Sequence, residues 1–223
     1  MNLKIEEDFA RRVPGYRALV VTCDVKNGTT SDEQQADMNR LADDIASRCK
    51  VEDINKRSPI AATRAAYKAC GKDPNRYRPS QEQLMRRIVR GLGLYMVSAL
   101  VDAGNMLSLI TGCSVGCFDA DKVQGDTLTL GIGRHDEPYE GIGRGPLNIE
   151  GLPVFRDGVG GIGTPTSDNE RTKIEESTRH LLMTIHLFDP TLDAEAVEAT
   201  ARDIFTKHCA ATNIHTTLHR IDD

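Results

Sequence analysis

The chain has 223 residues, of which 39% are hydrophobic and 27% charged, with a net charge of −5. That length can bury a substantial core, and the balance excludes a surface coated for non-specific nucleic-acid binding. No apolar run approaches the ~20 residues that span a bilayer, and the N-terminus MNLKIEEDFARR is charged where a signal peptide is apolar.

A cytoplasmic protein with no membrane partner is therefore expected. Without tryptophan, and with five Phe and five Tyr, base-stacking platforms are scarce, so RNA contacts are expected to be with phosphates. The six cysteines are irregularly spaced and read as reduced thiols. Cys113 and Cys117 have no second Cys or His pair near them, so neither a metal nor another cofactor is expected.

Residues 1–16 are polar and read as a lead-in helix or arm. From Tyr16, ALVVTCDV is a β-branched apolar run ended by NGTTS, which predicts a buried strand. Ser31 with Gln34, or Thr30 with Glu33, then opens a helix to about Cys49, with Met38, Leu41 and Ile45 inward.

The best-punctuated stretch runs from Ser58 to Asn105. Ser58 before Pro59 predicts an N-cap, and Gly71 a left-handed stop. Ser80 with Gln83 predicts a capping box ahead of Leu84, Met85 and Ile88. A third helix is expected to turn Val97, Leu100, Val101 and Leu107 inward, leaving Asp102 and Asn105 on one side.

Further on, CSVGCFDADKV and TLTLGIGR read as strands. Gly-Ile-Gly-Arg occurs at 131–134 and 141–144, and Gly-Ile-Gly again at 161–163. No helix follows Gly145, so these are expected to be strand-end turns rather than a dinucleotide fingerprint. PVFRD predicts a strand and GVGGIGTPT a loop. LLMTIHLF, a helix from about Leu192 to Cys209 and IHTTLHRI complete the chain. His215, Thr217 and His219 share one face of the last strand, too few ligands for zinc.

Between Lys50 and Arg90 eleven Lys and Arg stand against four acids, a local balance of +7 in an acidic chain. Such asymmetry steers a polyanion to one face. Arg64, Lys68, Lys72, Arg76, Arg78, Arg86 and Arg87 are accordingly candidate RNA-binding residues. The other reading is that amphipathic helices have solvated basic sides.

The segments TRAAYKACGKDPNRYRPSQEQLMRRIVRG, LVDAGNMLSLITG, GCFDADKVQGD and DNERTKIEEST come in this order between roughly Lys56 and Thr184. Together they resemble the B3/B4 domain, the tRNA-binding and editing domain of the bacterial phenylalanyl-tRNA synthetase beta subunit, and more closely its free-standing relatives. The resemblance implies an α/β (α+β) fold of mixed β-sheets forming a barrel-like sandwich with helices packed outside. With the patterning of the flanking segments, a single domain over 1–223 is expected: a strand and helix at 1–55, the resembling core at 56–184, and a strand, helix and strand at 185–223. The resemblance also implies tRNA or aminoacyl-tRNA as partner and hydrolysis of mischarged esters, and leaves homo-oligomerisation open.

By the same resemblance Glu176 matches the pocket glutamate, a candidate catalytic residue and more readily a recognition group for a substrate hydroxyl. Gly160 and Gly161 match a glycine pair that leaves room for the amino-acid moiety, with Thr164 in the same loop. Asp102 and Asn105 match a Val-Asp-x-x-Asn signature, although short polar side chains equally suit bracing of a helix. Gly116 stands where the family has a histidine, and is counted with the substrate-binding positions. Hydrolysis would then depend on Glu176, on the tRNA's own terminal hydroxyl, or on oxyanion stabilisation by N–H groups of the Gly158 to Thr164 loop. Asp168, Arg171 and Lys173 also read as an exposed turn and a solvated strand edge.

Two other functions fit the same residues: a non-catalytic RNA-binding or protein-interaction module, and a sensor of a small amino-acid-like ligand. Aminoacylation is not expected of these residues, which leave too little for a class II synthetase core and hold no segment like its ATP-binding motifs.

Overall fold

The computed structural model describes residues 1–221. In chain order the elements are β1 (Asn2–Ile5), α1 (Glu7–Arg12), β2 (Arg17–Asp24), α2 (Asp32–Arg48), α3 (Ser58–Cys70), α4 (Ser80–Val89), α5 (Ala99–Thr111) and β3 (Ser114–Asp119). There follow β4 (Thr127–Ile132), β5 (Glu140–Gly141), β6 (Gly145–Pro146), β7 (Pro153–Arg156), β8 (Gly161–Gly163), β9 (His180–Leu187), α6 (Ala194–Cys209) and β10 (Thr212–Arg220).

Two four-stranded sheets carry the fold. One has the order β10-β2-β9-β3 and is antiparallel throughout. The other, β1-β4-β7-β8, is mixed, since β1 runs parallel to β4 while the remaining pairs are antiparallel. A short β5–β6 pair stands apart. The sheets keep open edges, so the expected sandwich forms without closing into a barrel.

The apolar run of β2 explains the layering, because Ala18, Leu19, Val20 and Val21 are all buried and a strand covered on both faces loses its polar alternation. Leu19, Val21 and Cys23, with Met183 and Ile185, pack against Leu100 and Leu107 of α5 and Ala201 and Phe205 of α6. Ala18, Val20, Phe118 and Leu182 pack on the opposite side against Leu128, Leu130, Phe155 and Ile162 of the mixed sheet. The order is helices, antiparallel sheet, mixed sheet.

Several local expectations need correction. The N-terminal arm is a strand and a short helix: Leu3 and Ile5 turn partly inward against exposed Asn2 and Lys4, and Phe9 is fully buried. A four-residue strand gives too short an alternation to be recognised. Ser58 is the first residue of α3 and Arg57 its cap, and the Ser58 hydroxyl donates to the Asp189 carboxylate. The Ser80–Gln83 box does not form: the Ser80 N–H donates to Pro165 O at 2.8 Å and the Gln83 amide to Arg78 O at 2.7 Å. At Ser80 a tertiary acceptor outcompetes the local one. Val97 is exposed and precedes α5 rather than facing inward. By contrast Ser31 does accept the Gln34 N–H, and Gly71 ends α3 with φ +94°.

Candidate functional site

Three backbone segments converge on a cleft of about 470 Å³: Asn27 to Thr30, Met96 to Ser98, and Ile174 to Glu176. Asn27 ties them together, its amide N donating to Glu175 O at 2.8 Å and its amide O accepting Leu100 N–H at 3.2 Å. The Ala99 N–H donates to Gly28 O at 2.9 Å. Thr29, Thr30, Gln35 and Ser98 supply hydroxyl and amide groups to the walls, and Met96, Val97 and Ile174 supply apolar surface.

Glu175 and Glu176 close one side of this cleft. The Lys122 ammonium, 3.0 Å from the Glu175 carboxylate, holds that carboxyl below its usual range and offsets its charge. Glu176 is exposed, and its backbone carbonyl accepts Arg179 at 2.9 Å. The cleft is thus open, acidic and rich in hydrogen-bonding groups.

Asp102 lies behind the cleft rather than in its lining. It is fully buried, accepts the Val97 N–H at 3.1 and 3.2 Å and also the Thr30 hydroxyl. Burial pushes its carboxyl up, against the lowering effect of those two bonds. It therefore braces two of the three segments, while Asn105 sits half-buried on the same helix.

The remaining expected substrate contacts are spread out. Gly116 pairs with Thr184 across β3 and β9, and the space in front of it is taken by the Phe118 ring. A Cβ at Gly161 would stand 2.8 Å from the Tyr139 ring. Thr164 closes its own turn, donating to Ser167 O at 3.0 Å and accepting Thr166 and Ser167 N–H groups.

The Gly158 to Thr164 loop does not offer a set of unused amides for an oxyanion. Gly158 N–H donates to Gln124 O at 2.8 Å, Val159 and Gly160 N–H groups donate to Asp157 at 2.9 and 3.1 Å, and Thr164 N–H donates to Ser167 O. Burial alone would raise the Asp157 carboxyl, but the Arg171 guanidinium at 2.8 and 2.9 Å and three N–H donors hold it below its usual range.

Arg171 is therefore a partner of this loop and not part of a solvated edge. Asp168 also departs from the expected exposed turn. It lies at the free edge of β3, where it accepts the Cys117 N–H at 3.3 Å, and the protein packed around it pushes its carboxyl up to about 7. It is the first residue of the DNERTKIEEST segment, whose sequence gives no sign of this burial.

The structure divides the seven basic candidates. Arg64 and Arg86 bind the two oxygens of Glu82, a fully buried carboxylate, at 2.9 and 2.8 Å. Lys72 is buried against the carbonyls of Asn148 and Glu150 at 3.0 and 2.6 Å. Arg87 donates to Leu92 O and stands 4.9 Å from the Tyr95 ring centroid. Lys68, Arg76 and Arg78 are exposed. The last two enter a second cleft, joined there by Arg144, which comes from the second Gly-Ile-Gly-Arg.

The two clefts lie towards opposite ends of β3. At the Ser114 end, Ser114 donates to Gln81 at 2.6 Å and Ser80 N–H to Pro165 O; at the Asp119 end, Thr178 donates to Asp119 at 2.8 Å. Among the described residues no three His, Cys, Asp or Glu are grouped to hold a metal ion, and no helix is long and apolar enough to cross a membrane.

Comparison with known proteins adds the following. The family model described as "B3/4 domain" matches residues 62–222. The phenylalanine–tRNA ligase beta subunit of Bartonella henselae is 29% identical over 123 residues, covering 54% of this chain and 15% of that protein. The corresponding subunit of Bartonella quintana is 31% identical over 110 residues, covering 48% of this chain and 13% of that protein. The match thus spans less than a sixth of those relatives. An N-terminal fragment of the phenylalanyl-tRNA synthetase beta subunit from Pyrococcus horikoshii has a TM-score of 0.49 and 11% identity, over 96% of this chain and 50% of that one.

Proposed function

The chain belongs to the B3/4 domain family, and we propose that it binds aminoacyl-tRNA in the cytoplasm, with the aminoacylated end in the cleft beside Glu176. The observation that carries this reading is the lining of that cleft: an exposed carboxylate among Thr29, Thr30, Gln35 and Ser98. An aminoacyl ester presents an α-ammonium, a carbonyl and the sugar's neighbouring hydroxyl. Glu176 suits the ammonium, and the hydroxyl and amide walls suit the other two. A volume of about 470 Å³ lies within the usual ~300–1,000 Å³ range of small-ligand sites.

The second reading is hydrolysis of a mischarged ester in trans. The same carboxylate favours it, as a group able to orient water with help from the terminal hydroxyl of the tRNA itself. The engaged amides of the Gly158 to Thr164 loop and the absence of an imidazole at Gly116 leave this a slow reaction. The test compares wild type with Glu176→Gln, measuring affinity for charged and uncharged tRNA and the lifetime of the ester on a panel of mischarged tRNAs. Recognition predicts a preference for charged tRNA that the variant loses. Hydrolysis predicts ester loss faster than in buffer, and that difference disappears in the variant.

A further inference from the structure

Three guanidinium groups converge where the sequence does not place them together. Arg76 and Arg78 stand on the turn after α3, shaped by the Tyr77 N–H to Asp73 O bond of 3.0 Å and the Asn75 N–H to Asp73 carboxylate bond of 2.9 Å. Arg144 stands on the β5–β6 turn, between two glycines at φ +67° and +68°, and donates to the Gln83 side chain at 3.0 Å. The three line a cleft of about 290 Å³ whose other walls include Tyr77, Leu147 and Thr166.

Glu82 does not cancel this charge. Glu82 is buried and held by Arg64 and Arg86 at 2.9 and 2.8 Å, whereas Arg78 approaches it only to 4.0 Å. Lys72 lies 3.9 Å from the Tyr77 ring centroid and adds a further cation beside the cleft, although burial lowers its pKa. Planar forks of N–H donors suit the oxygens of a phosphate, and the Tyr77 and Leu147 surfaces suit a sugar or base.

We infer that this cleft binds the phosphodiester backbone of single-stranded RNA, with Arg78 and Arg144 as its phosphate contacts. Resting on the reading above, the bound strand is the end of the tRNA that leads to the Glu176 cleft. The clefts lie beyond opposite ends of β3, whose six residues span about 17 Å, a length that a few nucleotides of extended strand cover. The segment from Thr164 to Glu176 runs beside the free edge of β3 and joins one cleft to the other.

The test is fluorescence anisotropy with an uncharged RNA hairpin carrying a single-stranded 3′ tail, over a series of salt concentrations. The Arg78→Ala/Arg144→Ala double variant is expected to lose about tenfold in affinity and to flatten the log–log salt dependence by about 1.4, at ~0.7 per phosphate contact. Arg40→Ala, an exposed arginine on α2, leaves both unchanged. If the double variant does not fold by circular dichroism, Arg144→Gln alone carries the test with half the change in slope. An unchanged slope, or an equal loss of affinity for a polyglutamate peptide, overturns the inference. Because the probe carries no amino acid, failure of the Glu176 reading leaves this result standing, and failure here leaves the charged-against-uncharged comparison intact.

Discussion

The ring of Phe118 fills the space in front of Gly116: a Cβ at position 116 would stand 2.6 Å from the ring's Cζ and 3.0 Å from the Thr184 hydroxyl oxygen. The same ring meets a Cβ built at Gly163 at 2.5 Å. Two close backbone approaches thus depend on one aromatic side chain that is itself fully buried. The missing imidazole and the ring belong together, since the space a histidine would use is occupied.

Gly116→His should therefore destabilise the protein by overpacking, by about 1–3 kcal/mol. Phe118→Ala alone should cost about 3–5 kcal/mol as a cavity. Combined, the two should cost less than their sum, with a coupling of ~1 kcal/mol or more in urea denaturation. Additive effects would mean that the ring does not hold that space.

Arg64→Ala and Arg86→Ala should act on stability before they act on RNA. Each leaves the buried Glu82 carboxylate with one close guanidinium instead of two. Breaking such a network typically costs about 3–5 kcal/mol. Glu82→Gln should partly rescue Arg86→Ala, because the neutral amide no longer needs a cation. A variant of Arg86 with unchanged denaturation midpoint and weakened RNA binding would contradict this assignment.

Asp168 makes stability fall as pH rises. Its folded-state pKa is raised from 3.8 to about 7, so its contribution is fully present below pH 3.8 and is lost as pH rises through about 7. Asp168→Asn keeps an acceptor for the Cys117 N–H and removes the charge. The variant should be the more stable protein at pH 8, by about 1 kcal/mol or more, or ~2–4 °C in Tm. It should lack the wild-type decline between pH 4 and 7. Identical pH profiles for the two proteins would remove Asp168 from the account.

The sequence makes the fold legible where a pattern runs long enough to be recognised. The apolar run of β2, the Ser31 cap and the Gly71 stop are local signals, and the structure uses each as read. Ser58 and Ser80 carry equally good local signals, but their partners are Asp189 and Pro165, residues far away in sequence. The candidate site shows the same division. Glu176 lies in the segment that carries the family resemblance, whereas Arg144 reaches Arg78 only through folding, and its one sequence trace is the repeated Gly-Ile-Gly-Arg. The pairing of Arg64 and Arg86 with Glu82 has a weak trace, since residues 82 and 86 are spaced i and i+4, but the burial that makes it structural is a tertiary property.

The most direct measurement is the ratio of affinities for aminoacylated and deacylated forms of one tRNA, taken for wild type and for Glu176→Gln. Tighter binding of the aminoacylated form by wild type, with the two affinities equal in the variant, is the predicted result. Equal affinities in wild type, or a preference that survives the substitution, would contradict the placement of the aminoacyl group beside Glu176.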